Sequence, residues 1–189
     1  EDIADDGIAA IDRANVAGRD TVCGIAACGL TPFVRAAVAA AHDRGAACLF
    51  VTCSPEVRQH VAADVVICPQ VGPEAITGST RLKAGTATKL VLNTLTTGAM
   101  IRLGKVYENL MVDLRATNDK LRDRAERIVA EVTGLDRPAA RDLLASARGE
   151  AKAAIVMHER GVGYRRARRL LAAADGPLRA AIAPPATDR

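Results

Sequence analysis

The sequence predicts an α/β fold in which a parallel sheet is flanked by helices and followed by a small helical subdomain. Three observations carry this reading. Apolar runs of strand length alternate with helical segments between Thr21 and Cys68. The stretch Gly72 to Asn93, GPEAITGSTRLKAGTATKLVLN, passes from turn formers into a long apolar helix. Beyond Pro138 the pattern is helical only.

Taken in order, Thr21 to Ala27 (TVCGIAA) reads as a buried strand and Cys28-Gly29-Leu30 as a turn. Thr31 caps a helix that carries Pro32 at its first position and runs through PFVRAAVAAAHDR to a stop at Gly45. Ala47 to Cys53 and Asp64 to Cys68 read as the second and third strands. A parallel sheet of this kind binds ligands at the C-terminal ends of its strands, where the Cys28 turn lies.

The Gly72 to Asn93 stretch outlines an anion site. Gly72, Pro73 and Gly78 are turn formers, and the apolar residues from Leu82 to Leu95 predict a buried helix opening near Ser79 or Thr80. The first amides of a helix lack intrahelical partners and carry the positive end of its dipole, which favours a phosphate or carboxylate. Arg81 and Lys83 reinforce that field, with Lys89 further along. The same residues equally suit an ordinary capped core helix with solvated charges.

A helix from about Asn118 to Val132 carries Leu121, Ala125, Ile128 and Val132 at helical spacing. A boundary follows at Thr133 to Pro138, then helical segments Ala139 to Arg160 and Tyr164 to about Ile182, split by Gly161 and Gly163. The predicted organisation is therefore 1–133, 134–183 and a disordered tail at 184–189.

The chain of 189 residues is 49% hydrophobic but only 2% aromatic, so its packing relies on Ala, Val, Leu and Ile. No apolar run approaches the roughly 18 residues of a membrane span, and no secretory signal opens the chain, which predicts a cytoplasmic protein with no membrane partner. Cys23, Cys48 and Cys68 read as small buried hydrophobes, and the C-x₄-C spacings fit a metal poorly because His42, His60 and His158 are scattered. Residues 134–189 hold eleven Lys/Arg against six Asp/Glu, with the excess at Arg165, Arg166, Arg168 and Arg169. Without an aromatic platform beside it, this cluster reads as a solvated helix face and not a nucleic-acid surface.

GIAACGLTPFV, the Cys53-Ser54-Pro55 turn and the long run from Val71 to Leu121 together resemble the N-acetylmuramic acid 6-phosphate etherases of the sugar isomerase (SIS) superfamily. The resemblance covers nearly the whole chain. It implies an SIS domain, incomplete at its N-terminus, followed by a ubiquitin-associated-like helical subdomain. It further implies a homodimer that removes D-lactate from a phosphorylated amino sugar in cell-wall recycling, with no cofactor or metal. The family chemistry uses two carboxyl groups, one removing the C2 proton of the ring-opened sugar and one protonating the departing lactyl oxygen. Glu1, in the Glu1-Asp2 pair, matches one of them by its spacing to the AACGLTP turn; the same acid also reads as a solvated terminal group. The other, in a Glu-Cys-Pro-Pro segment, has no counterpart here, nor does the family's Gly-Thr-Ser-Gly-Arg loop.

By the same resemblance the substrate lies between Cys28, Gly29 and Thr31 on one side and Glu74, Ser79, Thr80, Arg81 and Lys83 on the other. Cys28 and Leu30 stand where the family usually has Ser and Arg, which weakens a phosphate site by one good donor and one cation. Two other readings stay open: a sugar-phosphate-binding regulator without catalysis, like the glucokinase regulatory protein, and one part of a split enzyme.

Overall fold

A computed structural model describes residues 1–114 and 116–184 as two compact units, Glu1–Leu95 and Thr96–Arg189. The predicted tail lies outside the described residues apart from Pro184.

In the first unit, β1 (Thr21–Ile25), β2 (Ala47–Val51) and β3 (Val65–Ile67) form a parallel sheet in the order β1-β2-β3. Thr21 pairs with Ala47 and Leu49 with Val65. β2 is the central strand, and its Cys48, Phe50 and Val51 are almost wholly buried. Cys23 and Cys68 are only half-buried, contrary to the sequence expectation, because Cys23 belongs to one outer strand and Cys68 directly follows the other.

Helix α2 (Pro32–Asp43) buries Ala37, Val38 and Ala41, residues of one face by their spacing. It packs on α1 (Ala4–Arg13), an element the sequence reading did not anticipate. α1 approaches so closely that a Cβ on Gly7 would stand 2.2 Å from the Phe33 carbonyl oxygen. Asp5 and Asp6 in its first turn complement the helix dipole.

Helix α3 (Lys83–Arg102) is long, as expected, but opens three to four residues later than Ser79 or Thr80 and is not a buried helix. Ala84 is its one buried residue, while Leu90 is 59% exposed and Ile101 53%. Its apolar residues circle the axis instead of lining one stripe, so no single packing face can cover them.

The second unit begins within α3. After a short hairpin, β4 (Val106–Tyr107) with β5 (Leu110–Met111), come α4 (Asp119–Thr133), α5 (Arg137–Ser146), α6 (Ala151–Arg160), α7 (Tyr164–Ala173) and α8 (Leu178–Ile182). Asn118 and Asp136 cap α4 and α5 by accepting amide hydrogen bonds from Leu121 and Ala139, both at 2.9 Å. α4, which precedes the Thr133 to Pro138 junction, packs on α5 and α6, which follow it. Arg137 ties the first two together through Asp123 at 2.6 Å and Glu126 at 3.1 Å.

The core is small-residue and aliphatic: Val112, Val129, Ala140, Ile155, Val156 and Leu178 are all at most 1% exposed. Each of the two helical segments expected from the sequence is in fact two helices. The breaks fall at Arg148-Gly149 and Asp175-Gly176, where both residues take positive φ and the helix cannot continue. Arg165, Arg166 and Arg169 are exposed, and Arg168 pairs with Glu150 at 2.8 Å.

Candidate functional site

The C-terminal edge of the sheet is assembled by main-chain hydrogen bonds. Where β1 ends, the Ala26 amide donates to Val51 at 3.0 Å and the Gly29 amide turns back to Ala26 at 2.9 Å. The Cys53 amide donates to the Ala27 carbonyl at 2.9 Å, and the Thr52 hydroxyl donates to the same oxygen at 3.2 Å. Thr52 is the one buried polar side chain among the described residues, and it also accepts from the Ser54 amide at 3.2 Å. Sequence reasoning missed it, although the Cys53-Ser54-Pro55 turn beside it was visible.

Gly29 is required at this turn on two counts. Its φ is +72°, and a Cβ there would lie 2.4 Å from Val57 Cγ2 and 3.1 Å from Thr52 Oγ1. The turn thus presents main chain outward. Among the described residues the amides of Cys28, Leu30 and Thr31 have no main-chain partner. Thr31 gives α2 no side-chain cap, and no acidic residue occupies the first turn of that helix. Unpaired amides ahead of a helix start suit an anion.

Glu1 belongs to the same corner. Its carbonyl accepts from the Phe33 amide at 3.1 Å, which fixes the residue at the start of α2, and its side chain is exposed. Pro32 has no amide and that of Phe33 is spent on Glu1, so donors for a ligand come from the turn more than from the helix. Cys28 and Leu30 are exposed beside it, Leu30 by 61%.

The second arm differs from expectation. The Glu74 carboxylate accepts from the Lys83 amide at 3.0 Å and the Ala84 amide at 2.9 Å, so this acid itself caps α3. Those two donors, Ala84 before Lys83, hold its carboxyl below the usual glutamate range. The Lys83 and Ala84 amides at the start of α3 are therefore taken up by Glu74 within the chain. Ser79, Thr80 and Arg81 precede the helix: the Ser79 amide donates to Ile76 at 3.0 Å, and Thr80, Arg81 and Lys83 are exposed. Their side chains stay available for contacts of their own.

Cys53 links the two arms. Its amide holds the Cys28 turn, while its thiol is pushed up by burial and then by Cys68, with the Thr88 side chain of α3 acting in the opposite direction. Cys28 follows β1, Cys53 follows β2 and Cys68 follows β3, so all three mark one edge of the sheet. That edge joins an exposed carboxylate, unpaired amides and hydroxyls, a set able to hold a small polyol anion and move a proton.

Comparison with known proteins gives a consistent result. The chain is 51% identical over 162 residues to an N-acetylmuramic acid 6-phosphate etherase of Nostoc sp., covering 86% of this chain and 53% of that protein. It is 54% identical over 158 residues to the protein of the same name from Salinibacter ruber, covering 83% and 51%. It is 50% identical over 157 residues to that of Klebsiella aerogenes, covering 83% and 52%. The chain spans about half the length of the curated relatives it matches. No family model matches it.

Proposed function

On the premise that the chain belongs by sequence with the N-acetylmuramic acid 6-phosphate etherases over more than four-fifths of its length, we propose that its protein is a carbon–oxygen lyase of peptidoglycan recycling. It cleaves the D-lactyl ether of N-acetylmuramic acid 6-phosphate with water, giving N-acetylglucosamine 6-phosphate and D-lactate. The observation that carries this is the identity of about half the residues to proteins bearing that name. It favours the etherase over a sugar-phosphate-binding regulator.

In this reading the α/β part is an SIS domain occupying 1–133 and the helices of 134–183 are its ubiquitin-associated-like subdomain. The phosphate sits on the unpaired amides of the Cys28 to Thr31 turn, with Gly29 providing the close approach. Glu1 works at the sugar from the start of α2: it takes the proton from C2, or gives one to the oxygen leaving C3. The C3–O bond breaks, lactate departs, and water adds across the resulting double bond to restore the sugar. A second carboxyl group shares this work. Ser79 and Thr80 contact sugar hydroxyls, Arg81 and Lys83 add positive field, and Glu74 holds the segment in place through α3.

The protein acts in the cytoplasm as a homodimer, with the exposed apolar residues of α3, Leu90, Met100 and Ile101, forming part of the subunit contact. Among the described residues no helix is long and apolar enough to cross a membrane.

Lactate release from N-acetylmuramic acid 6-phosphate tests the proposal. With a segment bearing the glycine-rich loop and second glutamate joined to this chain, turnover is expected, and Glu1→Gln should lower it by about 10²- to 10⁴-fold, the usual weight of one positioned acid or base. The 189 residues alone should release little or no lactate. Unchanged turnover in Glu1→Gln would remove Glu1 from the chemistry, and absence of turnover in the joined protein would remove the etherase reading.

A further inference from the structure

The second unit contains a cleft of about 550 Å³, lined by residues outside the proposed sugar site. Three segments line it: the chain after β5, the α5–α6 turn, and α7 with the turn that follows. Its volume lies within the range of about 300 to 1,000 Å³ typical of small-molecule sites. Leu114, Ala116 and Leu171 supply apolar wall, and Lys152, Arg148 and Arg168 supply positive charge.

The charges in this lining do not balance. Its two carboxylates, Asp113 and Glu150, are already engaged: Lys105 donates to Asp113 at 2.7 Å, while Glu150 accepts from the Tyr164 hydroxyl at 2.9 Å and from Arg168 at 2.8 Å. Lys152 is half-buried, and its one hydrogen bond among the described residues goes to the Gly104 carbonyl at 3.0 Å. An ammonium has three protons to give, so two remain. Arg148 lies over the Tyr164 ring with its guanidinium carbon 4.9 Å from the centroid, and no described carboxylate pairs with it. Burial lowers the Lys152 pKa, nearby Asp113 acts against that shift, and an anion in the cleft would act in the same sense as Asp113.

We propose that this cleft binds a small organic carboxylate, its charged end held by Lys152 and Arg148 and its apolar body against Leu114, Ala116 and Leu171. Among the described residues the lining holds three cations against two acids, which suits a negatively charged ligand, and its apolar wall suits a carbon chain over an inorganic ion. The site is separate from the etherase reading and does not depend on it.

Amide chemical-shift titration of the chain tests this, with hexanoate as the probe, hexanol as the body without charge and inorganic phosphate as charge without the body. Hexanoate should shift Gly149, Lys152 and Gly176 saturably and bind at least tenfold tighter than either control. Lys152→Met should weaken hexanoate at least tenfold, and Ala172→Trp, a substitution at an exposed lining position, should block it while leaving the remaining spectrum in place. Absence of saturable shifts at those three residues in the unmodified chain overturns the proposal, as does equal binding of phosphate or hexanol.

Discussion

Replacing Gly29 by alanine tests how the sheet edge is built. The new Cβ meets two obstacles: a backbone at φ +72°, and Val57 Cγ2 at 2.4 Å with Thr52 Oγ1 at 3.1 Å. The left-handed conformation costs an ordinary residue about 1–2 kcal/mol. Forcing a methyl into a packed site costs about 1–3 kcal/mol more. Gly29→Ala should therefore destabilise the Glu1–Leu95 unit by about 2–5 kcal/mol, lowering its urea midpoint by about 0.7 M or more for the usual slopes. Gly45 provides the control, since its φ is +77° but a Cβ there meets only Gly18 Cα, at 3.9 Å. Gly45→Ala should cost only the conformational part, about 1–2 kcal/mol. Urea unfolding followed by circular dichroism measures both, and Val57→Ala should recover part of the Gly29→Ala loss. Equal losses in the two variants would refute the steric half of this reasoning.

Three further outcomes are expected. The Glu74 carboxyl titrates lower in the folded chain than in the unfolded one, so its stabilisation is full above the unfolded value near 4.3 and is lost as pH falls through the folded value; Glu74→Gln should make the acid limb of a stability–pH curve shallower, and an unaltered limb would count against the cap. Ile155 is fully buried in the helical core, so Ile155→Ala should cost about 2–5 kcal/mol and Ile155→Val about 0.5–1.5 kcal/mol in the same unfolding measurement, a graded loss that a loosely packed core would not show. Cys28→Ser should tighten sugar-phosphate binding by up to about 1 kcal/mol, the scale of one ordinary hydrogen bond; calorimetry showing equal or weaker affinity would take the side chain out of the site.

Much of the first unit was legible because its signals are local. Strand-length apolar runs and the Thr31-Pro32 helix start need no knowledge of distant residues, and β1, α2, β2 and β3 lie where they point. α1 was not legible: the close approach of Gly7 to Phe33 is a tertiary fact, and a glycine in mid-helix argues locally against a helix. The opening of α3 was misplaced for a related reason. Ser79 and Thr80 have the chemistry of caps, but the donor-accepting group is Glu74, nine residues before Lys83, and such a long-range cap leaves no spacing to read. In the helical unit Gly161 was weighed as a break whereas Gly149 and Gly176 were not, because Arg148 and Asp175, which share their left-handed turns, carry no such signal. Of the candidate site, the Cys28 turn and Glu74 were visible as residue types; Thr52 joined them only through contacts across the sheet edge.

The proposed function requires the sheet edge to hold a phosphorylated amino sugar. Amide chemical-shift titration of the chain with N-acetylglucosamine 6-phosphate tests it most directly. Saturable shifts are expected at Cys28, Gly29 and Thr31 and in the Ser79 to Lys83 segment, with the helical unit unaffected. Saturation without shifts at the Cys28 to Thr31 turn, or no saturable binding at all, would contradict it.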